Sequence, residues 1–142
     1  MATEILVNDG GAPARILPYT AAVALNAGQA VMASTTVAYE VVLADTAVGL
    51  SVLGFALTNT ALGEIASIVT GKGVILNVQA VPATAGAALA IGGTAGQLAA
   101  ATNDTVVAVN NRFAPCAMTL KLLQEDGTGT IASAGLWRVQ TL

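Results

Sequence analysis

Short runs of aliphatic and β-branched residues recur along the whole chain, separated by Gly, Asn, Asp and Pro at intervals of about ten residues. This spacing is typical of an all-β protein, and we expect a compact β-barrel or β-sandwich. Alanine has the highest helix propensity, so the Ala-rich segments 19–27 and 84–89 are where a short helix competes. The pattern predicts strands at 4–7, 14–19, 30–33, 37–43, 54–56, 65–69, 73–80, 98–101, 106–110, 117–123 and 137–142.

The chain is unusually poor in charge for a soluble domain. Of its 142 residues, 9% are charged and 55% are hydrophobic, whereas about 25% of residues are charged in an average globular protein. A chain of this length fits one domain with an adequate core. So little charge predicts that part of the surface is covered in a homo-oligomer.

Composition also argues against several functional classes. With five Lys and Arg residues and a net charge of −3, the chain has no basic footprint for nucleic acid. It has no histidine, which is the commonest general base and metal ligand. Its single cysteine, Cys116, excludes an intrachain disulfide. We therefore expect no enzyme activity, no cofactor, no metal and no small-molecule substrate.

Two motifs resemble catalytic or phosphate-binding signatures only superficially. Gly71-Lys72-Gly73 lacks the first glycine of a phosphate-binding loop and the hydroxyl residue after the lysine. Ser51 lies in an incomplete nucleophile-elbow pattern, and no histidine is present to activate it. The eight carboxylates are dispersed along the chain, with only Glu125 and Asp126 adjacent. No catalytic residue is predicted.

The sequence predicts no membrane segment. The uncharged stretches 16–39 and 73–103 are interrupted by Asn, Gln, Gly and Pro, whereas a spanning helix needs about 20 predominantly apolar residues. The first nine residues include the acids Glu4 and Asp9 where a signal peptide has basic residues. We expect synthesis in the cytoplasm.

Residues 1–20 are expected to form an N-terminal arm that precedes a β-rich domain over 21–142. Pro13 and Pro18 each remove a backbone donor and favour extended structure before them. One interpretation is an arm that adds to the sheet of a neighbouring chain. The other is an edge strand packed on its own domain, where proline is common. The apolar anchors of the arm would be Ile5, Val7, Ile16 and Tyr19.

A loose internal repeat suggests two similar β units within the domain. Three pairs of segments resemble each other at offsets near sixty residues, although an Ala- and Gly-rich chain also produces such matches by coincidence. The pairs are 24–28 with 88–92, 63–66 with 129–132, and 73–79 with 135–140.

The C-terminal strand carries the only tryptophan of the chain. Leu136, Trp137 and Val139 occupy an apolar pattern near the end of the sequence. We expect these residues in the core or at a contact with another subunit or a capsid.

Five segments, in this order, resemble the capsid cement or head decoration proteins of tailed bacteriophages. The resemblance covers most of the chain after the arm, and its motifs are glycine and aliphatic patterns. They are Leu25-Asn26-Ala27-Gly28-Gln29-Ala30-Val31, Val52-Leu53-Gly54-Phe55-Ala56, Gly63-Glu64-Ile65-Ala66-Ser67-Ile68-Val69 leading into Gly71-Lys72-Gly73-Val74, Ala88-Leu89-Ala90-Ile91-Gly92 and Gly135-Leu136-Trp137-Arg138-Val139.

The resemblance implies a small β-rich virion protein, often trimeric. It would bind the outside of an expanded icosahedral shell where major capsid subunits meet, and would stabilise the shell. Two other classes stay open: a phage tail-tube or fibre component, which shares the composition, and a small enzyme or ligand-binding barrel.

Overall fold

The structure is a computed structural model, and it describes residues 5, 13–45, 52–81, 88–92, 94–100, 117–119 and 135–141. Within these ranges the regular elements are ten β-strands, and no helix there is long and apolar enough to cross a membrane. The predicted all-β fold class is confirmed. The strands are β1 (Arg15–Ala21), β2 (Ala30–Ala33), β3 (Glu40–Leu43), β4 (Gly54–Ala56), β5 (Ile65–Thr70), β6 (Ile75–Val81), β7 (Ala88–Ile91), β8 (Leu98–Ala100), β9 (Ala117–Thr119) and β10 (Gly135–Thr141).

The strands form two closed barrels of five strands each. The first has the order β1-β3-β2-β4-β5 and the second the order β10-β6-β8-β7-β9. In each barrel the first and third strands along the chain pair in parallel, and all other pairs are antiparallel. β1 to β5 therefore correspond in order to β6 to β10.

This correspondence differs from the repeats inferred from the sequence. The segments 73–79 and 135–140, paired as repeats in the sequence, overlap β6 and β10, which are antiparallel neighbours in one barrel with Trp137 opposite Val78. β7 corresponds to β2, whereas the sequence paired it with residues 24–28. Residues 129–132 lie outside the described residues.

Residues 15–20, which we expected in the arm, form most of β1 and pair with β5 along their whole length. Residues 15–20 thus belong to the first barrel, and residues 1–12, apart from Ile5, lie outside the described residues. The amide of Thr20 donates to the carbonyl oxygen of Tyr39, at 2.9 Å, on the β3 side of the strand. The backbone nitrogens of a strand point alternately to its two neighbours, so the nitrogen of Pro18 points to the same side as the amide of Thr20. At that position β3 has not yet begun. The missing amide of Pro18 thus interrupts no strand pairing in the described structure.

Other differences from the predicted strands have local causes. The segment 84–89 was a candidate helix, but its residues 88 and 89 belong to β7, where Leu89 is buried and pairs with β8. The strand predicted at 37–43 begins only at Glu40, because Ser34 Oγ accepts the amide of Val37 in a turn before it. The predicted strand at 106–110 lies outside the described residues.

Each barrel contains a hydrophobic cluster. The inner faces of β2, β4 and β5 contribute Val31, Ala56 and Ile68 to the core of the first barrel. The core of the second barrel contains Leu76, Leu89, Leu98, Trp137 and Val139. This second cluster also includes Ala30, Phe55 and Val69, which lie on the opposite faces of the same three strands of the first barrel. The two barrels therefore share apolar packing.

Backbone contacts join the barrels at two glycines with positive φ. The amide of Gln79 in β6 donates to the carbonyl oxygen of Gly28, at 2.8 Å. Gly28 has φ +86°, and a Cβ there would lie 2.7 Å from Leu136 Cδ2. Gly96, with φ +78°, accepts the amide of Ala30 at 2.9 Å. Only glycine adopts this geometry without strain.

Candidate interaction surface

Five large hydrophobic side chains are exposed among the described residues. Single exposed hydrophobic residues are normal on protein surfaces, so their arrangement matters more than their number. They are Ile16, Val37, Tyr39, Leu62 and Ile65.

Three of these residues lie close together at the end of the first barrel. Thr20 is the partner of Ile65 across β1 and β5, and its amide binds the carbonyl oxygen of Tyr39 on the other side. The amide of Gly63 donates to Ala21, at 2.8 Å, which places the turn containing Leu62 beside the end of β1. Tyr39 is 82% exposed and Leu62 is 69% exposed, so this end of the barrel presents an apolar rim.

The rim continues along the outside of β1 and β5. Ala21 of β1 and Ile68 of β5 point into the barrel. Because side chains alternate along a strand, the residues at the alternate positions of each strand point outward. We call this surface the β1–β5 face. It comprises Ile16, Pro18 and Thr20 of β1, Ile65 and Ser67 of β5, and the adjacent Tyr39 and Leu62.

The described charges have opposite signs at the two ends of the β1–β5 strand pair. Glu64 directly precedes β5 and is exposed, and Glu40 begins β3 opposite Thr20. At the other end, Arg15 begins β1 opposite Thr70, and the exposed Lys72 lies two residues after Thr70. The paired segment contains six residue pairs, so the two charged ends are about 17 Å apart.

Two hollows lie elsewhere on the described surface. An open groove of about 500 Å³ follows β3, with Val42 and Leu43 along it and the carboxylates of Glu40 and Asp45 among its lining residues. A hollow of about 80 Å³ lies where the barrels meet and includes Thr141. Thr141 Oγ1 donates to the carbonyl oxygen of Gly71 at 2.8 Å and accepts the amide of Val74 at 3.0 Å. These two hydrogen bonds of Thr141 therefore hold the segment 71–74, which links the two barrels, against β10.

No three His, Cys, Asp or Glu side chains come together as metal ligands within the part of the chain that the structure describes. The groove along β3 offers two carboxylates and an apolar wall. The hydroxyl residues Ser34, Thr35 and Thr36 also line it.

The residues predicted to contact a capsid or another subunit differ in their exposure in the structure. Ile16 is 48% exposed on the β1–β5 face, whereas Tyr19 packs partly buried against the core of the first barrel. Ile5 is buried within its own chain, and its carbonyl oxygen accepts the amide of Asn77 at 2.7 Å. Ile5 therefore contacts β6 of its own chain, and its contact with a neighbouring subunit stays a prediction. Val7 lies outside the described residues.

The three predicted contact residues of the C-terminal strand belong to the interior of the chain. Trp137 and Val139 have no exposed surface, because the inward face of β10 closes the second barrel. Leu136 points the other way, partly buried against the same hydrophobic cluster, beside Gly28. None of these side chains supplies an open contact surface in the described structure.

Sequence reasoning missed the exposed rim. Tyr39 has the only positive φ of a described non-glycine residue, +57°, so it does not continue the alternation of β3. The three residues Thr35 to Val37 are β-branched and favour a strand, so no signal in the sequence indicates that the strand starts later. Leu62 lies in a turn, where an isolated apolar residue gives no periodic signal.

The sequence matches no protein-family model, and no curated protein is significantly similar to it. The fold is similar to that of a solved structure, the N base of the head fibre protein gp8.5 of bacteriophage phi29. The two share 11% sequence identity with a TM-score of 0.59, and the similarity covers 92% of this chain and 95% of the other. This likeness shows the fold, and the fold is one that a phage structural protein uses.

Proposed function

We propose that this chain is a structural protein of a tailed-phage virion that binds the outer surface of the capsid and stabilises the expanded shell. The observation that carries the proposal is the fold likeness to a phage head fibre base over nearly the full length of both chains. The sequence resemblance to capsid cement proteins is an independent argument for the same class. Both arguments concern proteins of the phage head.

The surface of the described residues supports this role. It combines an apolar rim at Tyr39, Leu62 and Ile65 with a low charge content, and burial of apolar surface contributes about 25 cal/mol per Å² on association. In this proposal the partners are the major capsid protein and further copies of the chain, and three copies assemble where capsid subunits meet. Nucleic acid, membranes and small-molecule substrates are not partners.

The decisive experiment adds the purified protein to expanded shells that lack it and images them by cryo-electron microscopy. We expect extra density on the outside of the shell, at sites shared by neighbouring major capsid subunits. Decorated shells should also break at a higher temperature than bare shells in the same buffer. Shells that bind no protein at saturating concentration would overturn the proposal.

A second candidate is the base of a fibre that projects from the phage head. The similarity to the N base of a head fibre protein specifically favours it. The same images distinguish the two, because a cement protein forms a regular coat over the shell. A fibre base instead lies beneath each projecting fibre.

A further inference from the structure

We propose that the groove along β3 holds an extended segment of the major capsid protein, which carries a Lys or Arg residue and adds to the open edge of β3. Only the identity of this partner rests on the proposed function. The binding itself is supported by an unpaired backbone edge, by the acidic lining of the groove and by its apolar side.

The backbone of β3 has an open edge at Leu43. The amide of Ala44 donates to the carbonyl oxygen of Ala30 in β2, at 2.9 Å, and successive residues of a strand point their backbone groups to opposite sides. The amide and carbonyl of Leu43 therefore point away from β2. On that side β1 reaches only as far as Val41, whose carbonyl oxygen accepts the amide of Ala22 at 3.0 Å. Among the described residues no backbone group binds Leu43 there, so it offers one donor and one acceptor to an added strand.

Two other strand edges of the structure are protected against such pairing. On the outer edge of β1, Pro18 has no amide to donate. Along β6, the amide of Gln79 is bound by the carbonyl oxygen of Gly28, at 2.8 Å. The edge at Leu43 has neither form of protection within the described ranges, and it borders the groove. Of these three edges it is therefore the one that suits an added strand.

The lining of the groove is acidic. Glu40 begins β3 at one end, beside the turn whose Ser34 amide donates to its carbonyl oxygen at 2.8 Å. Asp45 lies at the other end, next to Ala44, which accepts the amide of Gly96 from the second barrel at 2.9 Å. None of the described residues that line the groove is basic. Charge complementarity therefore favours a partner segment with a positively charged side chain.

The side-chain alternation of β3 sets the pattern of the partner. Val41 points into the core of the first barrel, so Glu40 and Val42 on either side of it point outward along the groove. A strand added beside Leu43 repeats this alternation, so a residue two positions from the basic one lies near Val42 and should be aliphatic. From Glu40 to Asp45 the groove extends about 17 Å, which about five extended residues span.

Titration followed by NMR tests the groove in the free protein. The probe is the acetylated and amidated peptide Lys-Thr-Val-Thr-Lys, which places a lysine near Glu40 in either chain direction. At about 5 mM peptide, a Kd of about 1 mM leaves most of the protein bound, and amide shifts should concentrate at Glu40, Val42 and Leu43. Amide exchange of Leu43 should slow, whereas that of Ile16, on the open edge of β1, should not change. An unshifted Leu43 amide at this concentration would overturn the proposal.

A charge reversal tests the acidic lining. Glu40→Lys should weaken binding of this peptide about five-fold, because an attraction becomes a repulsion. The peptide Glu-Thr-Val-Thr-Glu should bind this variant better than it binds the wild type. Glu64→Lys is the matched control, since it makes the same change in net charge at an exposed residue outside the groove. Equal weakening by the two substitutions would refute the groove as the binding site, and circular dichroism of both variants excludes unfolding as the cause.

Competition with expanded shells identifies the partner. With the lysine peptide at about five times its Kd, wild-type protein should bind shells about six-fold more weakly, whereas the glutamate peptide should have no effect. If the lysine peptide occupies the groove and shell binding is unchanged, the capsid segment is the wrong occupant and the proposed function stands. Shells that bind no protein even without peptide would instead refute the proposed function, and with it the capsid as the partner of the groove.

Discussion

Replacement of Trp137 by alanine is the sharpest test of the second barrel. The side chain has no exposed surface, lies opposite Val78 in the β6–β10 pair, and packs in the cluster that contains Leu76 and Leu98. Truncation of a buried Trp to Ala costs about 3–5 kcal/mol. A domain of this size is stable by about 5–15 kcal/mol, so Trp137→Ala should lose about a fifth or more of the total.

Thermal unfolding followed by circular dichroism measures this loss. With a slope of about 3–5 °C per kcal/mol for a chain of this length, the Tm of Trp137→Ala should fall by about 10–20 °C. Leu62→Ala is the matched control, since Leu62 is 69% exposed and its truncation should change stability by less than about 0.5 kcal/mol. Trp137 is the only tryptophan, so its native fluorescence should also resist quenching by iodide.

The same measurements separate a core from a subunit interface. If Trp137 belongs to the core of its own chain, the loss of stability is the same at every protein concentration. At an interface, the difference between wild type and variant would disappear as the oligomer dissociates on dilution. A wild-type Tm for Trp137→Ala, or fluorescence that iodide readily quenches, would refute the packing of β10.

Three further substitutions test the contacts between segments, each by its effect on denaturant midpoints. Gly28→Ala should cost about 1–3 kcal/mol, because its Cβ would lie 2.7 Å from Leu136 Cδ2 in addition to the strain of its positive φ. Ala at Gly63, which has open space around it, should cost only the strain of φ. Thr141→Val should cost about 1–3 kcal/mol, because it leaves the carbonyl of Gly71 and the amide of Val74 without their hydroxyl partner. Ile5→Ala should cost about 2–4 kcal/mol. An unchanged midpoint would mean that Ile5 does not contribute to the core.

The strands that the sequence predicted best are those with both faces buried. The predicted bounds of 30–33 and 54–56 match β2 and β4. Ala30 and Val31 are both buried, as are Phe55 and Ala56, so these segments are continuous apolar runs between turn residues. Such runs are recognisable without any knowledge of their neighbours.

Propensity alone failed where tertiary pairing decides the structure. Ala88 to Ile91 is rich in alanine and was partly assigned to a candidate helix, because a short apolar run does not separate the two periods. Its backbone pairs with β8 on one side and β9 on the other. The local preference for helix, which is at most a few tenths of a kcal/mol per residue, is overcome by two strand neighbours.

The exposed face could not be predicted because exposure depends on the neighbouring barrel. Ile65 and Val69 both lie on the outer side of β5, four residues apart, and are equally apolar. Val69 is 1% exposed and Ile65 is 66% exposed. Alternation along the strand assigns them to one face, but only the position of the second barrel distinguishes the covered residue from the free one.

The shared core explains why the two barrels act as one structural unit. Phe55 and Val69 belong to strands of the first barrel, yet they pack in the cluster of the second. β4 is therefore buried on both faces, as is the Val69 end of β5, and removal of the second barrel would expose Phe55 and Val69. The glycine contacts at Gly28 and Gly96 allow the two backbones to approach closely enough for this packing. The β1–β5 face lies on the same side of β5 as Val69, so it borders the part of that strand which the second barrel covers.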